Sequence, residues 1–518
     1  MFEECFGEGP FIFRLNDNGA GPLLLTQVCL ERGWREYNSE NGDHWNLWWR
    51  TSGFSVSHHK SLYAWQFINH IPKGSAICRK DNLVRYLRCM KKVYGSIYDF
   101  SPDGFNLPLE YTKLAAECSK CRPFTARNDI DLYYEDKPVW ICKPVAQSQG
   151  RGIFLFRKLS ELTYDSNTIV QKYIEKPLLI GGYKFDLRLY VCIPSYHPVT
   201  IYLYREGLAR FGTDKFSLND LKNPYRHLTN SSINKCGPGY TEMKDRIGAG
   251  CKWTFRQLRR YFQQAGISDW LLWQKISSLI ILTLLSHIQQ VPQTVNCFEF
   301  FGFDVLIDST LRPWLLEVNL SPALGNDCDA DRTVKKPMLH DMFDLLGLPL
   351  YNTGLCIYHI WNDDDENKLV EEDQKRAIKP SQAVVNAAGR WRKKHRKMSA
   401  RSISRSKSAN KVTKNNLNQN NLKTYNYTNK WGNGKDWKNA PAEEGGWIRL
   451  WPMNSRVNYN NENMSVNSKV KFMVSEVNKF SKVAKEIFKR YPAASECQLN
   501  EFLQQKFDLN RDVWIPPI

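Results

Sequence analysis

The sequence predicts an α+β fold, on three observations. From Phe11 to about Leu348, short runs rich in β-branched and aromatic residues alternate with longer segments of helical periodicity. Some of the short runs are separated only by turn-sized gaps, as in TIYLYREGLARF (200–211) and FGFDVLIDSTLRPWLLEVNLSP (301–322), which is hairpin spacing. With 42% hydrophobic and 13% aromatic residues, a chain of 518 residues can bury a large interior, and its length suits two or three domains.

Taken in order, residues 1–10 (MFEECFGEGP) form a flexible start without the basic and apolar regions of a signal peptide. Residues 11–350 hold the alternating pattern and are assigned to one main domain. The 14 cysteines are scattered, with Cys118 and Cys121 as the single close CxxC and no second pair at zinc spacing, so they read as reduced thiols of an intracellular protein. VWICKPVAQSQGRGIFLF (139–156) reads as strand, Gly-containing loop, strand. It is no Walker loop, yet its backbone N–H groups, with Lys143 and Arg151, could close over phosphates; an ordinary hairpin is the alternative.

In GGYKFDLRLYV (181–191), Lys184, Asp186 and Arg188 share one strand face, while Phe185, Leu187, Leu189 and Val191 share the other. A cation, an anion and a cation over an apolar back suit the holding of phosphates and a carboxylate; a solvated sheet face alternates in the same way. Arg210 follows a turn at 205–207, and HLTNSSINK (227–235) is a polar loop or helix cap. WLLWQKISSLIILTLLSHI, broken by Gln274, Lys275 and His287, predicts a buried helix and no membrane span.

The hairpin at 301–322 carries acids inside apolar runs. A turn centred between Thr310 and Leu311 sets Asp304 opposite Glu317, and Asn319 falls on the same face. Two carboxylates and an amide oxygen on one face make a hard-cation site of the Mg²⁺ type. The competing reading is an exposed face with two incidental acids that a bulge keeps apart.

The C-terminal third changes character. An acidic connector (351–373) precedes a window from Gln374 to Lys435 that holds 17 Lys or Arg and no Asp or Glu. Of the net charge of +19 that window carries +17, and the remainder of the chain +2. Low hydrophobicity and one-sign charge make this basic, low-complexity segment largely disordered when alone. It suits an acidic protein partner, a nucleic acid or no specific partner, with sparse aromatics counting against base stacking. The last region, 436–518, has helical spacing near 466–490 and could dock on the body or on a partner.

CRKDNL, CKP with QGRGI, VQKYI, KFDLRLY, LYREGLARF, HLTNSSINK, FGFDVLID and LLEVNLSP occur in a fixed order, and DHWNLWWR (43–50) precedes them. That series resembles the tubulin–tyrosine-ligase-like family over residues from about 11 to 348. CKWT and LLIGGYKFDLRLYVCI are similar to its polyglutamylase members. The resemblance implies an ATP-grasp fold with an N-terminal α/β subdomain, and an ATP- and Mg²⁺-dependent ligase that adds glutamate to tubulin C-terminal tails through an acyl phosphate. It implies that Lys80, Lys143, Gln149, Arg151 and Gly152 surround the ATP phosphates. Gln171, Lys172, Tyr173 and Ile174 would line the adenine pocket, with Lys184, Asp186, Thr229 and Asn230 completing the nucleotide site. Arg210, then Ser232 and Lys252, would hold the incoming amino acid; Asp304, Glu317 and Asn319 would bind Mg²⁺; Lys184, Arg188, Arg210 and Glu317 form the catalytic set. Ser231 stands where the family often carries Tyr, and ALGNDCDADRTVKK (323–336) receives no role. The implied partners are tubulin, microtubules and free L-glutamate, for a monomer without membrane or nucleic acid. The implied location is the cytoplasm and cytoskeleton, with cilium, axoneme or basal body beside them. A glycine-adding ligase of the same fold and an inactive microtubule-binding protein remain as alternatives.

Overall fold

Three sheets organise the computed structural model, which describes residues 10–120, 137–351, 430–454 and 464–518 apart from 146, 148, 165–166, 248–250 and 510. These all belong to one packing unit made of 1–353 and 429–518. The flexible start, the acidic connector past Tyr351 and the basic window before Lys430 lie outside the described residues. The mixture of helix and sheet is as the sequence predicts.

The first sheet is parallel: β1 (Ile12–Leu15), β2 (Arg35–Glu36), β3 (Leu47–Trp49) and β4 (Phe67–Ile68), in the order β2-β1-β3-β4. The second is antiparallel: β5 (Gly104–Leu107), β6 (Trp140–Pro144), β7 (Phe154–Phe156) and β8 (Thr168–Lys172), in the order β5-β8-β6-β7. Helix α1 (Lys80–Tyr94) links the two, its amphipathic face burying Leu83, Val84 and Leu87.

The third and largest sheet is built on the 14-residue β10 (Tyr183–Tyr196). Along one edge β10 pairs with β12 (Leu208–Lys215) and then β11 (Val199–Tyr204); along the other it pairs with β9 (Leu179–Ile180) and β14 (Glu299–Ile307). β13 (Lys252–Thr254) continues from β12, and β15 (Pro313–Asn319) from β14. One face of β10 sends Phe185, Leu187, Leu189 and Val191 into a core shared with α2 (Phe255–Gln264) and α3 (Trp270–Leu285). The opposite face carries Lys184, Asp186 and Arg188, then Tyr190 and Cys192 beneath α4 (Asp329–Leu345). All of these residues are buried, so the alternation in GGYKFDLRLYV is not that of a solvated face.

The predicted hairpin forms, with a correction that matters. Ile307 opposes Pro313, Leu306 opposes Trp314 and Val305 opposes Leu315, so the turn is centred on Thr310 and not after it. Asp308 organises that turn, its Oδ1 accepting from Thr310 N at 2.8 Å and Arg312 N at 3.1 Å. The register then shifts and Leu316 is left over, which brings Glu317 opposite Asp304. A bulge therefore unites the two acids instead of separating them.

The C-terminal residues build the same body. β17 (Trp447–Trp451) pairs antiparallel with β11, and β16 (Glu443–Glu444) closes that edge. Lys430 to Lys435, the end of the basic window, folds around the buried Trp431. α5 (Val466–Arg490), capped by Ser465, lays Val470, Met473, Val474, Val477, Phe480, Ala484 and Ile487 toward the core at helical spacing. Its Ser481 Oγ donates to Ser278 Oγ of α3 at 2.9 Å, and α6 (Glu496–Phe507) follows. Among the described residues Trp270–Gln290 is long and apolar enough to cross a membrane, but 83% of that window is buried inside the protein, as predicted for a core helix. The eleven described cysteines are free thiols.

Candidate active site

A cleft with about 900 Å³ of empty space, partly open to solvent, lies between the β5–β8 sheet and the polar end of β10. Its walls combine Ile141, Ile153, Leu228, Leu306 and Leu316 with converging cations and carboxylates. From the predicted set, Lys80, Lys143, Gln149, Gln171, Lys172, Tyr173, Ile174, Lys184, Asp186, Arg210, Thr229, Asn230, Asp304, Glu317 and Asn319 line it. Arg151, Gly152, Arg188, Ser232 and Lys252 do not.

The lysines arrive from three elements. Lys80 begins α1, and its Nζ donates to Gln147 O at 3.0 Å while standing 3.9 Å from Glu317 Oε2. Lys143 on β6 donates to Gln171 Oε1 of β8 at 2.9 Å. Lys184 on β10 donates to Tyr173 Oη at 2.9 Å and to His227 O at 2.7 Å. Burial lowers the Lys184 ammonium to about 7 and that of the more open Lys143 to about 8, although nearby carboxylates favour their charge. His227 Nε2 lies 2.7 Å from Asp220 O, which can only accept, so Nε2 carries the proton and Nδ1 accepts from Tyr173 Oη at 3.1 Å.

The Gly loop between β6 and β7 closes over the cleft. Gln149, Gly150 and Gly152 have φ of 62°, 78° and 67°, a left-handed path that explains the glycines and marks Gln149 as unusual. Ser232 Oγ donates to Gln149 O at 3.2 Å, so this side chain latches the loop from outside.

The carboxylates differ sharply. Asp304 accepts from Arg188 Nε at 2.5 Å and Nη2 at 3.0 Å, and Arg210 Nη2 stands 2.8 Å from its Oδ2. Burial opposes its charge, but the two guanidiniums hold its carboxyl well below the usual carboxylate range. Arg188 thus stands behind Asp304, and a Cβ at Gly302 would come 2.9 Å from Pro322 Cβ and 3.2 Å from Arg188 Cδ, so a side chain there would have to displace that proline or crowd the arginine. Arg210 also takes Asp186, with Nε at 2.7 Å and Nη2 at 2.6 Å, while Nη1 makes no hydrogen bond to the described residues. Burial and Asp304 push the Glu317 carboxyl up, with Lys80 and Lys143 only partly offsetting them.

Among the described residues no group of three or more His, Cys, Asp or Glu gathers as a metal cluster. The Mg²⁺ candidates are two carboxylates and an amide. Asn319 Nδ2 donates to Asp304 Oδ2 and Glu317 Oε1, each at 3.3 Å, and rotating the amide presents its oxygen instead. Hard oxygen donors with an under-neutralised Glu317 fit a small divalent cation, and Asp304 is shared with the arginines.

Lys252 lies across from Arg210 in the β12–β13 ladder but pairs with Asp331 of α4 at 2.6 Å. Sequence reasoning missed the apolar walls and His227. Leu306 and Leu316 were visible in the hairpin runs as strand residues, with nothing to distinguish a cleft wall from core.

A family profile described as "Tubulin-tyrosine ligase family" matches residues 56–353. The chain belongs to the tubulin-tyrosine ligase family. It is 47% identical over 342 residues to the "Probable tubulin polyglutamylase TTLL2" of Homo sapiens, covering 65% of this chain and 56% of that protein. The Mus musculus protein of the same description is 46% identical over 343 residues, with 65% and 62% covered. The "Tubulin monoglutamylase TTLL4" of Mus musculus is 35% identical over 330 residues, with 61% and 26% covered. The chain thus spans 56% and 62% of the length of the two TTLL2 relatives it matches.

Proposed function

We propose that this chain is an ATP- and Mg²⁺-dependent ligase of ATP-grasp type that joins free L-glutamate to glutamate side chains in tubulin C-terminal tails. The observation that carries the reading is the meeting of Lys80, Lys143 and Lys184 with Asp304 and Glu317 in one cleft with apolar walls. Such a site offers cations to a polyphosphate, oxygens to a hard cation and an apolar slot to a base. The tubulin-glutamylating relatives named above supply the acceptor class.

Glu317 and Asn319, with Asp304, would hold Mg²⁺, which when bound supplies charge stabilisation to phosphoryl oxygens. Lys143 and Lys184 donate to phosphate oxygens, and the Gln149–Gly152 loop limits water. Arg188 keeps Asp304 ionised and oriented. The acceptor carboxylate takes the terminal phosphoryl group with departure of ADP; the amino nitrogen of glutamate then displaces phosphate and forms an isopeptide bond. Arg210 Nη1 is free to hold the incoming carboxylate. No protein nucleophile is required. The basic window at 374–435 would concentrate acidic tubulin tails, for a protein working in the cytoplasm on the cytoskeleton.

Incorporation of labelled glutamate, beside labelled glycine, into microtubules with Mg·ATP tests the reading. Glutamate incorporation that disappears in Glu317→Gln supports it. Glycine incorporation overturns the co-substrate, and incorporation of neither, with microtubules still bound, overturns the ligase.

A further inference from the structure

Glu299 begins the strand that carries Asp304 and is fully buried, yet it does not line the cleft. A carboxyl group shut away from water persists only where bonds replace its hydration. Here they come from the segment that leaves β4. Oε1 accepts from Ile71 N at 2.9 Å, and Oε2 lies 3.1 Å from His70 Nδ1. His70 Nε2 lies 2.9 Å from Arg50 O, which can only accept, so Nε2 carries a proton. A further proton must then lie between Nδ1 and Oε2, and whichever atom holds it the pair carries no net charge. Burial pushes the Glu299 carboxyl up, against the opposing pull of His70.

The carboxyl is hemmed in on its other side too. Gly74 N donates to Ile71 O at 2.9 Å, and a Cβ on Gly74 would collide with Glu299 Oε1. Gly74 is not among the residues of positive φ, so this contact, and not its backbone conformation, requires the glycine. The chain continues as a 3₁₀ helix (Gly74–Cys78) that packs against β15, and α1 then starts with Lys80. Cys78 lies within electrostatic reach of both Glu299 and Glu317, so this short helix spans the distance from the one carboxyl to the other. The Lys80 ammonium itself meets one backbone oxygen, Gln147 O at 3.0 Å, and a carboxylate 3.9 Å away. With so few bonds on the side chain, the path of the backbone decides where that charge stands. β14 therefore carries two buried carboxyl groups with separate tasks: Asp304 gathers guanidiniums, and Glu299 gathers the chain that leads to Lys80.

We infer that Glu299 is a positioning residue: with His70 it pins the Ile71–Gly74 turn to β14 and so aims Lys80 at the phosphate end of the cleft, beside Glu317. It acts through Lys80 and touches no nucleotide atom. This inference rests on the nucleotide-binding part of the ligase reading and deepens it.

A double-mutant cycle on nucleotide binding tests it. Calorimetry would titrate a non-hydrolysable ATP analogue with Mg²⁺ into the full chain, with thermal melts recorded beside it. Lys80→Met should lose about tenfold in analogue affinity, the worth of one charge-assisted bond. Glu299→Leu should lose about fivefold or more, and nothing further in the Lys80→Met background, because its effect passes through that ammonium. Glu299→Gln should rescue binding to within about twofold of wild type, since its amide oxygen accepts from Ile71 N while its NH₂ donates to His70 Nδ1. Gly74→Ala, whose methyl displaces the carboxyl, should repeat the loss if Glu299→Leu does not fold, and likewise add nothing to Lys80→Met. Losses that add across the cycle overturn the inference and leave the ligase reading intact. So do folded variants that melt lower but bind the analogue as the wild type does. No binding of the analogue by the wild type overturns both. Binding without transfer of glutamate to tubulin sinks the ligase reading and leaves this inference standing.

Discussion

Raising the pH from 6 to 8 should loosen Mg·ATP, because two lysines of the cleft lose their protons in that window when no nucleotide holds them. Burial sets Lys184 to about 7 and Lys143 to about 8. A neutral amine cannot make a charge-assisted bond to phosphate, so nucleotide binding should restore both protons. At pH 8 Lys184 is protonated in about one molecule in eleven and Lys143 in about half, against nearly all at pH 6. Affinity should then fall about twentyfold over the two pH units, or ~1.8 kcal/mol, with uptake of about 1.4 protons per nucleotide at pH 8 and about 0.1 at pH 6. Lys143 is the more open of the two, so the larger share belongs to Lys184. Titration calorimetry in two buffers of different ionisation heat measures the uptake directly. Lys184→Met should remove about 0.9 of a proton at pH 8. A flat affinity, or no net uptake at pH 8, would refute the claim that these ammoniums are poised by burial and neutralised by phosphate.

Three other perturbations follow from the same geometry. Glu317→Gln should reduce ligation by about a hundredfold or more while the melting temperature holds or rises, because the charge removed is one that burial and Asp304 disfavour; incorporation assays and thermal melts read both. Arg188→Met leaves Asp304 with Arg210 alone and should cost about 3 kcal/mol at pH 7 in urea unfolding. Asp304 is held below its unfolded value, so it stabilises above the usual carboxylate range and that contribution fades as pH falls; the deficit of the variant should shrink in acid. Phe480→Ala, on the face of α5 that covers α3 and 5.4 Å from the Phe507 ring, should cost about 3–5 kcal/mol, visible as a lower urea midpoint.

What the sequence made legible was local and patterned. Two acids in the most apolar runs, and cations alternating with Phe and Leu on β10, announced a polar face set against a core. Whether that face was wet or buried depended on helices placed over it by distant chain segments. The pairing of Asp304 with Glu317 was anticipated through a turn centred differently, and the Leu316 bulge made up the difference; where a strand ejects a residue is decided by twist against its neighbours. Asp331 looks like any first-turn acid of a helix, and only the approach of β13 gives it Lys252. Nor could the spacing of WIRLW tell that β17 joins the edge of β11, since that contact is non-local.

The outer strand has a consequence for how the chain is made. Tyr202 Oη donates to Pro441 O, 239 positions away, and β17 completes the sheet only after the acidic and basic segments have left the ribosome. Every cleft residue through Asn319 has emerged long before that, with α3 still lacking the helix that shelters it. Closing so long a loop is slow relative to local pairing. A splice form or a nonsense allele ending before Trp447 would therefore encode every cleft residue and still lack a finished body to hold them.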